Sequence, residues 1–240
     1  MFIKIVIVLL LLIVAASLLV QRSGGAPRQR AATRLRPLMM RVAIVLLVVV
    51  ALFATLHLAG CARPGESFRG LDVTGAPWGR LDTLDGFTDH TGRRFASAEL
   101  QGKAVMLFFG YTQCPDICPT TLVTMKEAMR LLGSEADRVQ VLFVSVDPDR
   151  DTQDILAAYV PWFDARFVGL RSEAEATRTA AAAFRVFYAK AKGSDALNYS
   201  IDHTANSLAY DPQGRLRLSF VHGASAVDIS TDLGKLLAGK

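Results

Sequence analysis

The first sixty of the 240 residues contain no aspartate or glutamate, while Lys4, Arg22, Arg28, Arg30, Arg34, Arg36 and Arg41 give this stretch a charge of +7. The remaining 180 residues hold 20 of the 27 bases and all 22 acids, a net of −2. The overall charge of +5 therefore belongs to the leader, and the rest of the chain is mildly acidic. That part also lacks a basic stripe with interleaved aromatics, which argues against a nucleic-acid partner. There is no internal repeat, and no low-complexity tract beyond the leader. Cysteine and histidine are scarce, at three and four residues.

Charge is also missing from two apolar runs, Ile5 to Val20 and Val42 to Gly60. Each approaches the ~20 residues that a membrane-crossing helix needs. The six arginines between them mark a loop that the cytoplasm retains. Two crossings would leave everything after Cys61 on the non-cytoplasmic side. A second reading starts at Met39 or Met40. There, Arg41, the apolar run and Leu58-Ala59-Gly60-Cys61 form a lipoprotein signal, and the Cys61 thiol takes the lipid. Both readings export residues 61–240, as a domain anchored to the cytoplasmic membrane and facing the periplasm. The expected organisation is a membrane or signal region over 1–60, a Gly- and Pro-containing tether over 61–80, and a globular domain over 81–240.

Within that domain, Thr88 to Arg93 reads as a turn between short strands. Lys103 to Gly110 and Val139 to Val146 are continuous apolar runs, the pattern of strands covered on both faces. Leu122, Met125, Met129 and Leu132 give Pro119–Leu132 a helical face. Asp151 is placed to cap the next helix, with Ile155, Leu156, Ala158 and Tyr159. Phe167 to Leu170 is a brief strand, and Glu173 to Tyr188 is alanine-rich and helical. Ser207–Tyr210 and Leu216–Phe220 form a hairpin across Asp211-Pro212-Gln213-Gly214, and Ala226 to Leu237 closes the chain as a helix. This alternation predicts an α/β domain with a mixed central sheet flanked by helices. Sites in such sheets collect where a strand's carboxyl end meets a helix's amino end.

Cys114 and Cys118 sit at such a junction, in Phe109-Gly110-Tyr111-Thr112-Gln113-Cys114-Pro115-Asp116-Ile117-Cys118-Pro119. An offset of four places both sulfurs on one side of a helical turn. Pro119 costs little at an early helical position, and the helix amino end favours a thiolate. Thiolates select Cu(I), zinc or iron–sulfur clusters, and two sulfurs leave a metal short of ligands. Of the histidines, His57 lies in the second apolar run, His90 in a surface turn where a solvated ring is expected, and His222 after the last hairpin strand. His203 lies in Tyr199-Ser200-Ile201-Asp202-His203-Thr204-Ala205, and by itself reads as a loop histidine.

The segment Gly110–Thr120 resembles the Sco (SenC-type) family of copper proteins, which assist assembly of the copper A centre of cytochrome c oxidase. Ser145-Val146-Asp147-Pro148-Asp149-Arg150-Asp151-Thr152 is similar to that family's acidic loop. Asp202-His203-Thr204-Ala205 with Tyr210-Asp211-Pro212-Gln213-Gly214 is similar to its histidine segment, and the order holds over roughly residues 84–238. The resemblance implies a thioredoxin-like fold, a copper site of Cys114, Cys118 and His203, and an N-terminal membrane anchor. Asn206-Ser207 departs from it, because bulkier apolar residues are expected there.

The resemblance implies a copper chaperone that carries Cu(I), or Cu(II) with an added ligand, from a donor protein to the oxidase copper A subunit by ligand exchange. No bond is broken catalytically in such a transfer, so enzyme activity is not expected. The alternative is a thiol–disulfide reductase in which Cys114 and Cys118 are the redox pair. Three residues between the cysteines, and His203-Thr204 where redox relatives carry a proline, argue for metal. A peroxidase would use Thr112, two residues before Cys114, but no activating arginine is evident. A purely stabilising Cys114–Cys118 disulfide would gain little from so short a loop. Asp116 reads as a solvated acid or a tuning charge, and Asp147, Asp149 and Asp151 as capping and turning residues.

Overall fold

The computed structural model describes residues 45–47, 49–50, 67–191 and 199–240. Both apolar runs, apart from five helical residues at 45–47 and 49–50, lie outside them, as do His57 and Cys61. Among the described residues no helix is long and apolar enough to cross a membrane. Ser67–Lys240 forms one compact unit.

In chain order the elements of that unit are β1 (Leu71–Asp72), β2 (Thr88–Asp89), β3 (Ala104–Gly110), α1 (Ile117–Leu132), β4 (Val139–Ser145), α2 (Gln153–Phe163), β5 (Val168–Arg171), α3 (Ala174–Ala183), β6 (Tyr188–Lys190), β7 (Ile201–His203), β8 (Ser207–Tyr210), β9 (Leu216–Phe220) and α4 (Ala226–Leu237). Seven strands form one mixed sheet in the order β1-β9-β8-β3-β4-β5-β2, and β6 with β7 forms a separate ribbon. β3, β4 and β5 run parallel, and the outer pairs are antiparallel. Every residue of β3 is buried, which explains its unbroken apolar run: a central strand covered on both faces has no side to give to water. Phe108, Phe109 and Phe143 centre the core, α1 packs on α4, and α2 packs on β5.

Three expectations change. Asp151 does not cap α2: Thr152 does, its hydroxyl accepting the Ile155 amide at 3.4 Å, while Asp151 turns inward and is fully buried. The helix expected over 173–188 stops at Ala183. Arg185 adopts a left-handed φ of 56°, the conformation that commonly ends a helix. Val186, Phe187 and Tyr188 then suit an extended chain, and Tyr188 opens β6. Finally, the compact unit begins at Ser67, so part of the expected tether is folded. β1 pairs with β9, and the amides of Arg69 and Gly70 donate to Asp232 at 2.6 and 2.8 Å.

Asp232 is wholly buried on α4 and also accepts from Lys235 Nζ at 3.0 Å. Asp232→Ala should strip these donors of their acceptor and cost about 2 kcal/mol, as losses of buried charge-assisted hydrogen bonds do. Urea unfolding read against wild type measures this loss. Limited proteolysis should cut first near residues 67–73.

Candidate metal centre

β3 ends at Gly110, and the chain crosses to α1 through Tyr111–Asp116. Asp151 fixes the start of that crossing by accepting from the Thr112 hydroxyl and the Ser145 hydroxyl, each at 2.6 Å. Cys118 lies in the first turn of α1 and is fully buried. Pro119 follows it where a backbone N–H would have no intrahelical partner. The Cys118 sulfur leans on the end of β3. A Cβ at Gly110 would come within 2.8 Å of that sulfur and 2.9 Å of the Phe108 and Phe143 rings, so glycine is required there by close approach. Cys114, four residues earlier in the crossing and outside the helix, is half-buried, and its sulfur accepts the Cys118 amide at 3.5 Å. Both cysteines are free thiols.

His203 ends β7, and its Nε2 lies 3.4 Å from the Cys118 sulfur. Its Nδ1 is 3.0 Å from the Thr204 carbonyl. A carbonyl can only accept, so the proton belongs on Nδ1 and the lone pair of Nε2 faces the sulfur. Phe108 and Tyr111 meet the ring edge-on, at centroid distances of 6.0 and 5.9 Å. The two sulfurs and an imidazole nitrogen thus lie within 4.8 Å of one another, and no other such group of His, Cys, Asp or Glu is found among the described residues.

Burial pushes the Cys118 thiol well above the ordinary cysteine range, and the neighbouring Cys114 adds to the rise. At Cys118, desolvation thus outweighs the helix amino end. Burial lowers the His203 imidazole, partly opposed by its bond to Thr204. Near neutral pH this ring is therefore an uncharged donor with a free nitrogen.

The other two histidines among the described residues do not join the cluster. His90 is not a solvated surface ring: its Nδ1 accepts the Gly169 amide at 3.1 Å and its own amide donates to Gly169 at 2.8 Å, tying the turn to β5. His222 is exposed, with Nδ1 3.5 Å from the Thr121 hydroxyl. Asp116 accepts from the Thr120 hydroxyl at 3.3 Å, and Asp149 pairs with Lys190. Arg150 and Tyr199, not singled out in the sequence, contact the loop and the ribbon that carry the donors. Tyr199 stays protonated because burial, with its bond to Asp147, pushes its hydroxyl up to about 12.

The sequence profile of the SCO1/SenC family matches residues 86–238. The chain belongs to the SCO1/SenC family. It is similar to a SCO2-like protein of Rickettsia felis, 34% identical over 142 residues that make up 59% of this chain and 69% of that one. It is similar to the mitochondrial SCO2 homolog of Bos taurus, 34% identical over 152 residues, or 62% of this chain and 57% of the relative. The chain thus spans between about half and about two thirds of the length of these relatives. Bradyrhizobium japonicum ScoI, solved with copper bound, superposes with a TM-score of 0.58 at 35% identity, covering 62% of this chain and 95% of that one. The mixed sheet with flanking helices is thus the thioredoxin-like architecture of the Sco proteins. Copper is bound in solved members, and this chain has a Cys-Cys-His group that could hold it.

Gly110→Ala should cost about 1–3 kcal/mol, the usual penalty for overpacking a core, and should push the Cys118 sulfur outward. Denaturant melts measure the first effect. Faster reaction of Cys118 with a thiol reagent, against near silence in wild type, measures the second.

Proposed function

We propose that this chain is a copper carrier that takes copper from a donor protein, holds it with Cys114, Cys118 and His203, and passes it to the copper A subunit of cytochrome c oxidase. The observation that carries the reading is the convergence of two sulfurs and one imidazole nitrogen within 4.8 Å. Two soft thiolates and one neutral imidazole make a three-donor set suited to Cu(I), and Cu(II) would need one further ligand. Exposure divides the work: Cys114 is half-buried and Cys118 enclosed, so incoming ligands replace Cys114 first and Cys118 last. Copper moves by such exchange, and no covalent bond of a substrate is broken.

Copper titration of the purified chain tests this. One Cu(I) should bind, binding should be lost in Cys114→Ala and in Cys118→Ala, and His203→Ala should weaken it by at least about tenfold, since a direct donor matters no less than the outer groups that orient one. Wild-type affinity in His203→Ala would sink the three-donor site. A second reading, thiol–disulfide exchange with a partner's cysteines, draws on the free and adjacent state of Cys114 and Cys118. Strong insulin reduction together with unchanged copper binding in His203→Ala would favour it over the carrier.

The leader supports a periplasm-facing domain held at the cytoplasmic membrane, either by a lipid on Cys61 or by a helix of the Val42–Gly60 run. Mass spectrometry of the membrane-extracted protein separates the two. A diacylglycerol adduct on an N-terminal Cys61 means a lipoprotein, and an intact leader means a helix.

A further inference from the structure

The ribbon of β6 and β7 is not hydrogen-bonded into the main sheet, so the imidazole of His203 is not held over the sulfurs by strand pairing. Arg150, in the loop between β4 and α2, supplies another tie. Its Nη1 donates to the Tyr199 carbonyl at 2.8 Å and to Gln113 Oε1 at 3.1 Å. Its Nε donates to Asp147 Oδ2 at 2.5 Å, and the Tyr199 hydroxyl donates to the other oxygen of the same carboxylate at 2.6 Å. The guanidinium carbon lies 3.5 Å from the centre of the Tyr199 ring and 5.8 Å from that of Tyr111, the ring whose edge meets His203. One side chain therefore touches the residue before Cys114, a residue leading into β7, and a wall of the imidazole.

The energetics point away from a purely stabilising role. The Arg150 side chain is only 12% exposed, and its carboxylate partner only 2%. Its Nη2 is buried with no hydrogen-bond partner among the described residues. A buried pair that leaves a donor unpaired is poor value for stability, and its best-attested use is to fix one arrangement of elements over others. A planar fork can reach several acceptors at once and stack on a ring, which an ammonium cannot.

We propose that Arg150 is a positioning residue for the copper centre, holding the β6–β7 ribbon against the cysteine loop so that His203 stays within ligating reach of Cys114 and Cys118. The inference rests on the copper-site reading above and adds the group that keeps its third donor in place.

The test is a double-mutant cycle on the full chain in detergent, titrated with Cu(I) against a competing chelator. Arg150→Met should weaken Cu(I) by about tenfold or more, the scale set by groups that orient metal ligands, and Arg150→Lys should recover little of it. In a His203→Ala background the same Arg150→Met change should matter by less than about twofold, because the donor it positions is gone. With Cu(II), Arg150→Met should lose or broaden the imidazole nitrogen hyperfine signal while the sulfur-to-copper charge-transfer band persists. Equal losses in both backgrounds, or weakened binding with the nitrogen signal intact, would mean that Arg150 acts on the fold or the sulfurs, and would overturn the proposal. Should Arg150→Met fail to fold, Tyr199→Phe carries the same cycle: it deletes the hydroxyl bond to Asp147, keeps the ring, and should show a smaller loss that still depends on His203. A weakened His203→Ala beside an unaffected Arg150→Met overturns this inference alone. Wild-type affinity in His203→Ala overturns the three-donor reading and this inference with it.

Discussion

The 3.4 Å contact between the Cys118 sulfur and Nε2 of His203 joins two elements that share no backbone pairing. Cys118 is fixed by the core: it is in the first turn of α1, wedged against the end of β3 at a point where only a glycine fits. His203 has no such footing. Its ribbon meets the rest of the domain through the Tyr111 hydroxyl, which accepts the Ile201 amide at 3.2 Å, through the side chains around Tyr199, through the Lys190–Asp149 pair, and through Tyr199 and Ile201 buried in the core. Hydrogen bonds of this kind contribute about 1 kcal/mol each. The centre therefore combines a sulfur set directly in the core with an imidazole held by modest bonds and by the packing of its ribbon, with no strand pairing beneath it.

The same division shapes the electrostatics. The sulfur that the fold encloses is the one whose ionisation burial opposes, and the imidazole is kept uncharged by its own burial. Metal-free, the enclosed pair is a neutral thiol beside a neutral ring, which avoids the cost of a lone buried charge. Loading a soft cation replaces the thiol proton, so the charge that enters the pocket arrives with its counter-charge. Such a pocket suits both an empty and a loaded state, as the proposed carrier role requires.

Much of this was legible in the chain, and the failures have physical causes. β3 and β4 were visible because strands covered on both faces are written as unbroken apolar runs. The cysteine junction followed from a strand running into a helix with proline early in its first turn. His203 could not be found from spacing alone, since 85 residues separate it from Cys118; only the resemblance of its segment to a known family marked it. Asp151 was misplaced because an acid before a helix reads as a cap, yet Thr152 lies one residue closer and frees Asp151 to anchor Thr112. The overlong helix at Glu173 to Tyr188 was an alanine effect, overridden where Arg185 turns left-handed and β-formers follow. Arg150 was hidden for a different reason. An arginine among aspartates in a loop looks like surface charge, and only the tertiary structure shows it under the Tyr199 ring.

Asn206 and Ser207 complete the case, because the family pattern led one to expect bulkier apolar residues behind the histidine. Ser207 is buried opposite Phe108 on β3 and Phe220 on β9, and the Asn206 amide reaches the Ser219 hydroxyl at 3.3 Å. Small polar groups at this seam replace apolar contact with a cross-strand hydrogen bond, so no buried polar atom is left unpaired at Asn206. Phe108 in turn presents its ring to the His203 imidazole at 66°, one of the inclined arrangements that aromatic pairs prefer. The seam behind the histidine is therefore polar at Asn206 and Ser207 and aromatic on the two neighbouring strands, and it is Phe108 of that seam that reaches the third donor.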